Sequence, residues 1–272
     1  MAAARNNRRR RRGRGRLGPL FKLLCVLAVV VALTMGATVF FRVETVAVSG
    51  NIRYTQEEVV QATGIQVGDN LFRMNKYQVA RQVLQKLPYV EELTIRRGLP
   101  STIVITVSEW DAVARVQAPP PGTAVQGEGE EPLVVADEDW LISVGGKLLE
   151  PAPADSAVIL VSGVTPVLPK AGTMLALPQA EQARLDGLLS LLEQLEGLGM
   201  IEDVSSIELS ATRVLLRYLD RFDVKVPLNA DFNYELRVLR DAVADLNERV
   251  APDCTGTLDL TQESYPAVYS PD

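Results

Sequence analysis

The stretch YVEELTIRRGLPSTIVITVSE, residues 89–109, decides how this chain folds. It holds two runs rich in β-branched residues, 89–98 and 101–109, parted by the breakers Gly98-Leu99-Pro100. That pattern predicts two strands joined by a short turn. The second run alternates: Ile103, Ile105 and Val107 share one face, and Val104, Thr106 and Ser108 share the other. One face is therefore set to be buried. Upstream, NKYQVARQVLQKLP places Val79, Ala80, Val83, Leu84 and Leu87 on one helical face, with Asn75 as the cap and Pro88 as the stop. Before it, Thr55 and Glu58 form a capping-box pair for a short helix ending at Gly64. VETVAVSGN, residues 43–51, reads as a strand and turn. The order is strand, helix, helix, strand, strand. Three strands with two helices on one face bury both amphipathic elements.

This order, and the residues that punctuate it, resemble the POTRA domain of the FtsQ/DivIB cell-division proteins. The matching positions are Val48, Gly50, Asn51, Gly64, Gly68, Asn70, Leu71, Pro88, Val90, Pro100, Ile103, Ile105 and Glu109. Gly50, Gly64 and Gly68 are expected to serve turns and caps rather than a partner. The family's proline after the closing glutamate is replaced here by Asp111.

Ahead of that domain lies LLCVLAVVVALTMGATVFF, residues 23–41, without a charge. As a helix it is about 28 Å long, close to the ~30 Å hydrocarbon core of a bilayer. It exceeds the 7–15 apolar residues of a cleaved signal peptide, so a membrane anchor is expected over 17–41. Eight arginines crowd the stretch RNNRRRRRGRGR, residues 5–16, and no acid occurs before Glu44. Such a run resembles a nucleic-acid patch. Placed before an apolar span, it reads instead as the signal that keeps the N-terminus in the cytoplasm and sends residues 42–272 outside. Of the 28 basic residues, nine lie at or before Lys22, which leaves 19 against all 34 acids. That acidic body repels phosphate and argues against a nucleic-acid partner.

The expected organisation is a basic tail at 1–16, the anchor at 17–41, the POTRA-like domain at 42–110, a second domain at 111–262 and a tail at 263–272. The fold class is α+β, the second domain being a mixed β-sheet with two helices. Residues 117–132 are rich in proline, glycine and acid and are expected to form a flexible loop. DAVARV before the loop and LVVADEDWLISV after it can pair across it. The segment through Pro169 reads as irregular and proline-rich. Helices follow at 177–200, with Leu185, Leu188, Leu192 and Leu195 aligned, and after Asp231, with Phe232, Leu236, Leu239, Val243 and Leu246 aligned. Two heptads are too few for a coiled coil, so both stripes are expected to pack on a sheet. Three strands lie within 205–229, and Thr257-Leu258-Asp259-Leu260 reads as a short final strand. This second half is similar to the C-terminal β-domain of the same family.

A search for chemistry is empty. There is no histidine, which excludes His-dependent triads and His-ligated zinc. No G-x-S-x-G occurs. Gly145-Gly146-Lys147 lacks the rest of a phosphate loop, and Asp137-Glu138-Asp139 lacks the glycine and glutamate of a calcium loop. Cys25 and Cys254 are too far apart to suggest a framework. No catalytic residue, metal or cofactor is expected.

The resemblance implies a non-catalytic scaffold at the division septum. It would link single-pass division proteins of the FtsL and FtsB/DivIC kind to septal peptidoglycan synthesis, by adding a partner strand to an exposed sheet edge. Carried onto this chain, the partner-binding region falls on Thr257, Leu258, Asp259, Leu260, Thr261, Gln262, Ser264, Tyr265, Val268 and Tyr269. On the residues alone, Leu258 and Leu260 are core positions of a strand, while the two tyrosines are candidate anchors. A competing reading is a cell-envelope enzyme or peptidoglycan-binding sensor that uses the first domain as a binding module. A POTRA-containing transport component is disfavoured by the lone unit and the single anchor.

Overall fold

The computed structural model describes residues 17–123, 125–126, 132–153, 155–251, 253–262 and 267–271. The basic tail at 1–16 lies outside them, as do Ser264 and Tyr265.

The first element is helix α1, Leu17–Phe40. Its apolar side chains stand exposed, Leu23, Val26 and Leu27 among them. Among the described residues, no helix is long and apolar enough to cross a membrane.

The expected α+β unit follows directly. Strand β1 is Thr45–Ser49, helix α2 is Gln56–Thr63, helix α3 is Lys76–Lys86, strand β2 is Val90–Gly98 and strand β3 is Thr102–Glu109. The sheet order is β1-β3-β2, with β1 parallel and β2 antiparallel to the central β3. Alternation on β3 works as the sequence predicts: Ile103, Ile105 and Val107 are buried in a core with Val59, Leu71 and Val83. The Thr55–Glu58 capping box closes α2, and Gly64 ends it in the left-handed conformation. The Asn75 side chain accepts the N–H groups of Tyr77 and Gln78 at the start of α3. Each such cap contributes about 1 kcal/mol.

The second domain is one nine-stranded mixed sheet. Strand β4, Ala114–Val116, precedes a two-stranded ribbon of β5, Val125–Gln126, and β6, Pro132–Leu133. The expected pairing across the loop is present: β4 runs antiparallel to β7, Trp140–Ile142, with Ala114 opposite Ile142. The segment read as irregular through Pro169 contains two strands, β8, Leu148–Pro151, and β9, Ile159–Ser162. They escape a periodicity reading because each is four residues long and set among prolines. Yet β9 is central, parallel to both β4 and β10, Val204–Leu209. Helix α4, Gln182–Gly197, makes the crossover from β9 to β10 that parallel strands require.

Strands β11, Arg213–Tyr218, and β12, Phe222–Pro227, complete the three expected within 205–229. Helix α5, Phe232–Arg249, capped by Asp231, crosses to β13, Gly256–Asp259, which is parallel to β12. The last strand is β14, Val268–Pro271.

The two leucine stripes pack on the sheet rather than in a coiled coil. Leu188, Leu192 and Leu195 are fully buried, as are Leu236 and Leu239 on α5, while Leu185 and Leu246 are partly buried at the rim. Leu191, missing from the sequence reading, is as buried as its neighbours. The helices meet through a hydrogen bond from Asn233 Nδ2 to Gln194 Oε1 at 2.7 Å.

The domains share a small core in which Tyr89 meets Leu141 and Leu149, with Tyr54 and Trp110 against them. Arg53 stacks 3.8 Å from the Tyr89 ring centre and pairs with Glu150 at 2.7 Å. The Tyr89 hydroxyl donates to the same carboxylate at 2.6 Å. Lys147 Nζ donates to the Val90 carbonyl at 2.8 Å. Burial lowers the Lys147 pKa. Burial, followed by the bond to Glu150, raises that of Tyr89.

Candidate functional site

Nine strands in one open sheet leave two outer edges. The order is β14-β13-β12-β11-β10-β9-β4-β7-β8. At the β8 edge, the Leu148 N–H donates to Thr173 O and Leu148 O accepts from the Gly172 N–H, both at 2.8 Å. The turn around Gly172 in turn abuts the end of α3. That edge is closed by the chain's own backbone and by the first domain. At the opposite end, among the described residues, no strand pairs with the outer side of β14.

This corrects the expected edge. Thr257, Leu258, Asp259 and Leu260 do not form the rim of the sheet. β13 is internal, paired parallel to β12 and antiparallel to β14. The reason is that residues assigned to a terminal tail return as β14, setting Leu258 opposite Tyr269 and Asp259 opposite Val268. Leu258 and Leu260 are core residues, as their residue types predict. Thr257 is half-buried and faces Ser270 across the ladder.

Beyond β13, Asp259 Oδ1 accepts the Thr261 N–H at 2.9 Å and its hydroxyl at 2.6 Å, closing a tight turn. Partial burial pushes the Asp259 carboxyl up, but the Thr261 hydrogen bonds and the Lys225 charge outweigh it, so it titrates below the ordinary range. Thr261 and Gln262 are exposed. Of the expected contact residues, Val268 and Tyr269 are the ones on the open strand. Tyr269 is anchored inward, its ring 6.5 Å from that of Phe222 and its hydroxyl donating to Thr255 O at 2.8 Å. It holds β14 to the sheet.

Gly256, overlooked in the sequence, makes this edge possible. A Cβ there would lie 2.8 Å from a Tyr269 ring carbon and 3.1 Å from Pro271 Cα, and would run into the Ser270 carbonyl. The glycine before Thr257-Leu258-Asp259-Leu260 was the available signal, since a glycine in a strand marks close backbone approach.

The motif positions of the first domain do not converge on a site. At its far end Glu109 closes the turn after β1, its carboxylate accepting the N–H groups of Ile52 at 3.2 Å, Arg53 at 2.7 Å and Tyr54 at 3.4 Å. Asn51 Nδ2 bonds Tyr54 O beside it, and Gly50 lets the turn lie against Val107. Val90 is buried and Pro88 follows α3. At the end nearest α1, Asn70 Oδ1 accepts the N–H groups of Phe72 and Arg73, Gly68 takes a positive φ, and Pro100 sits in the β2–β3 turn. These are roles in turns and caps. Among the described residues, no group of histidine, cysteine or acidic side chains could hold a metal ion.

Residues 41–110 match the family model of the FtsQ-type POTRA domain. The chain is 27% identical over 125 residues to a cell division protein FtsQ of Corynebacterium glutamicum, covering 44% of this chain and 55% of that protein. It is 30% identical over 74 residues to a cell division protein DivIB of Clostridium botulinum, covering 27% and 28%. With an FtsQ of Syntrophotalea carbinolica the identity is 25% over 219 residues, 79% of this chain and 69% of the relative. The match thus spans about half of the Corynebacterium protein and less of the Clostridium one. With its strand–helix–helix–strand–strand domain matched by the FtsQ-type model and its relatives named FtsQ and DivIB, the chain carries an FtsQ-type POTRA domain and is similar to the FtsQ and DivIB cell-division proteins.

Proposed function

We propose that this chain is a single-pass, non-catalytic scaffold of the bacterial division machinery, with its N-terminus in the cytoplasm and its body outside. It joins FtsL-type and FtsB/DivIC-type proteins to septal peptidoglycan synthesis. The observation that carries the reading is the open edge at β14, set against an opposite edge that is closed. An open strand offers unpaired N–H and C=O groups to an incoming strand, and the side chains beside it select the partner. The anchor reading is supported by α1, whose 24 residues measure about 36 Å. Leu23, Val26, Leu27, Val30 and Leu33 on it are all exposed, as contact with lipid would have them.

The role and the site are tested separately. A fluorescent fusion in dividing cells is expected to form a mid-cell band, and a uniform membrane signal refutes the division role. A cysteine placed at Ser270 is expected to crosslink to the FtsB/DivIC-type partner, with one at Ala211, in the distant β10–β11 turn, as control. Equal crosslinking at both positions refutes the site.

A further inference from the structure

α1 ends at Phe40, and Val43 is already a core residue of the first domain, 1% exposed. Two residues lie between, so the domain stands within about 10 Å of the helix end. The loop 66–73 is hydrogen-bonded to this junction rung by rung. The Val43 N–H donates to Asp69 O and Val43 O accepts from the Gly68 N–H, both at 2.8 Å, and the Leu71 N–H donates to Phe41 O at 3.0 Å. On the other side, the Glu44 N–H donates to Ser101 O at 2.8 Å, which brings in the β2–β3 turn.

What these two loops display is apolar. Val67 is 78% exposed, Phe72 53% and Leu99 65%. The Phe72 ring meets Phe41 edge-on at 5.1 Å, and Phe41 meets Phe40 at 5.2 Å, so an aromatic ladder runs from α1 onto the domain. Beside it is a cleft of about 630 Å³ lined by Arg42, Arg73, Asn70 and Asp69. Among the described residues, neither Arg42 nor Arg73 is in an ion pair. Asp69 is the acid that lines the same cleft, and its Oδ2 is engaged by the Gln66 N–H at 2.9 Å.

We propose that this end of the POTRA domain is a membrane-surface site. Phe72, Val67 and Leu99 enter the interfacial layer around the exit of α1, and Arg42 and Arg73 hold the phosphate of an anionic lipid headgroup in the cleft. Aromatic side chains favour that layer. Guanidinium groups bind phosphate through paired N–H donors. The consequence is orientational. The domain is held upright on the bilayer, and the β14 edge is carried at a fixed height above it rather than on a free tether. The inference rests on the reading of α1 as a membrane span.

The test uses the full chain in lipid nanodiscs, of phosphatidylcholine alone or with phosphatidylglycerol added. An environment-sensitive fluorophore is attached in turn to native Cys25, to Phe72→Cys, and to Ile52→Cys at the far end of the domain. Other cysteines are changed to serine. With phosphatidylglycerol, iodide quenching at position 72 is expected to be at least about threefold weaker than at 52, and Arg42→Gln/Arg73→Gln is expected to abolish most of that difference. Equal quenching at 72 and 52, with Cys25 shielded, overturns the surface site while leaving the anchor intact. Protection at 72 that ignores both lipid charge and the arginine changes overturns the headgroup assignment. A quenchable Cys25 overturns the anchor reading and this inference with it.

Discussion

Gly256→Ala tests whether β14 is the working edge. The added methyl would run into the Ser270 carbonyl and lie 2.8 Å from Tyr269 and 3.1 Å from Pro271, where ordinary contacts begin near 3.4 Å. All three neighbours belong to β14, a four-residue strand held at one edge only. Moving it by about 0.5–1 Å stretches ladder bonds of ~2.9 Å past the useful range. Four paired positions, from Gly256 opposite Pro271 to Asp259 opposite Val268, are at stake. At roughly 1 kcal/mol for each bond lost, the cost is about 2–4 kcal/mol. The Phe222–Tyr269 contact and the Tyr269–Thr255 bond are strained with them.

A cost of that size opens β14 without unfolding the sheet, because β10 to β13 keep their own partners. Hydrogen exchange followed by mass spectrometry is therefore expected to show protection over 268–270 falling about 30-fold or more, with β10–β12 unchanged. Crosslinking from position 270 to the partner is expected to fall with it. Unchanged protection over 268–270 in the alanine variant would refute the reasoning, since the close approach would then not be what seats the strand.

Other outcomes follow from particular contacts. Leu192→Ala empties a fully buried site between α4 and the sheet and is expected to cost 2–5 kcal/mol, read as a lowered midpoint in urea unfolding. Glu109→Ala frees three N–H groups of the 52–54 turn; those groups can reach water, so a loss of about 1.5–3 kcal/mol is expected by thermal unfolding, with Glu109→Gln recovering part of it. Arg53→Ala breaks an ion pair whose side chains are 51% and 39% exposed, so it is expected to cost at most about 1 kcal/mol while broadening the interdomain distance distribution in spin-label measurements. Burial raises the pKa of Tyr89, and burial with the Asp203 charge moves Tyr218 up to about 12. Folded pKa values above the unfolded ~10 mean that the folded state keeps protons the unfolded chain has lost. This contribution is full below pH 10 and is expected to fall as pH rises from 10 toward 12, read as declining thermal midpoints.

Much of this protein is legible in its sequence because the signals are local. Alternation in residues 101–109, the Thr55–Glu58 box, the Asn75 and Asp231 caps and the leucine stripes of α4 and α5 each act within one or two turns of chain. Local steric and hydrogen-bonding preferences therefore give the elements and the buried face of each. The strands β8, β9 and β14 were not legible. Each is four residues long and shows no clear alternation: β9 owes its strand character to β4 and β10, far along the chain, while β8 and β14 are held by the preceding strands β7 and β13. The same holds for the site. Residue types identified Leu258 and Leu260 as core, yet which strand forms the rim depended on where residues 268–271 return. The Arg53–Tyr89–Glu150 junction joins residues up to 97 positions apart and carries no motif. Local chemistry in the sequence determined the segments that carry alternation, caps or leucine stripes; only backbone pairing in the tertiary structure decided which edge stays open, because a free edge is defined by the partners a strand lacks.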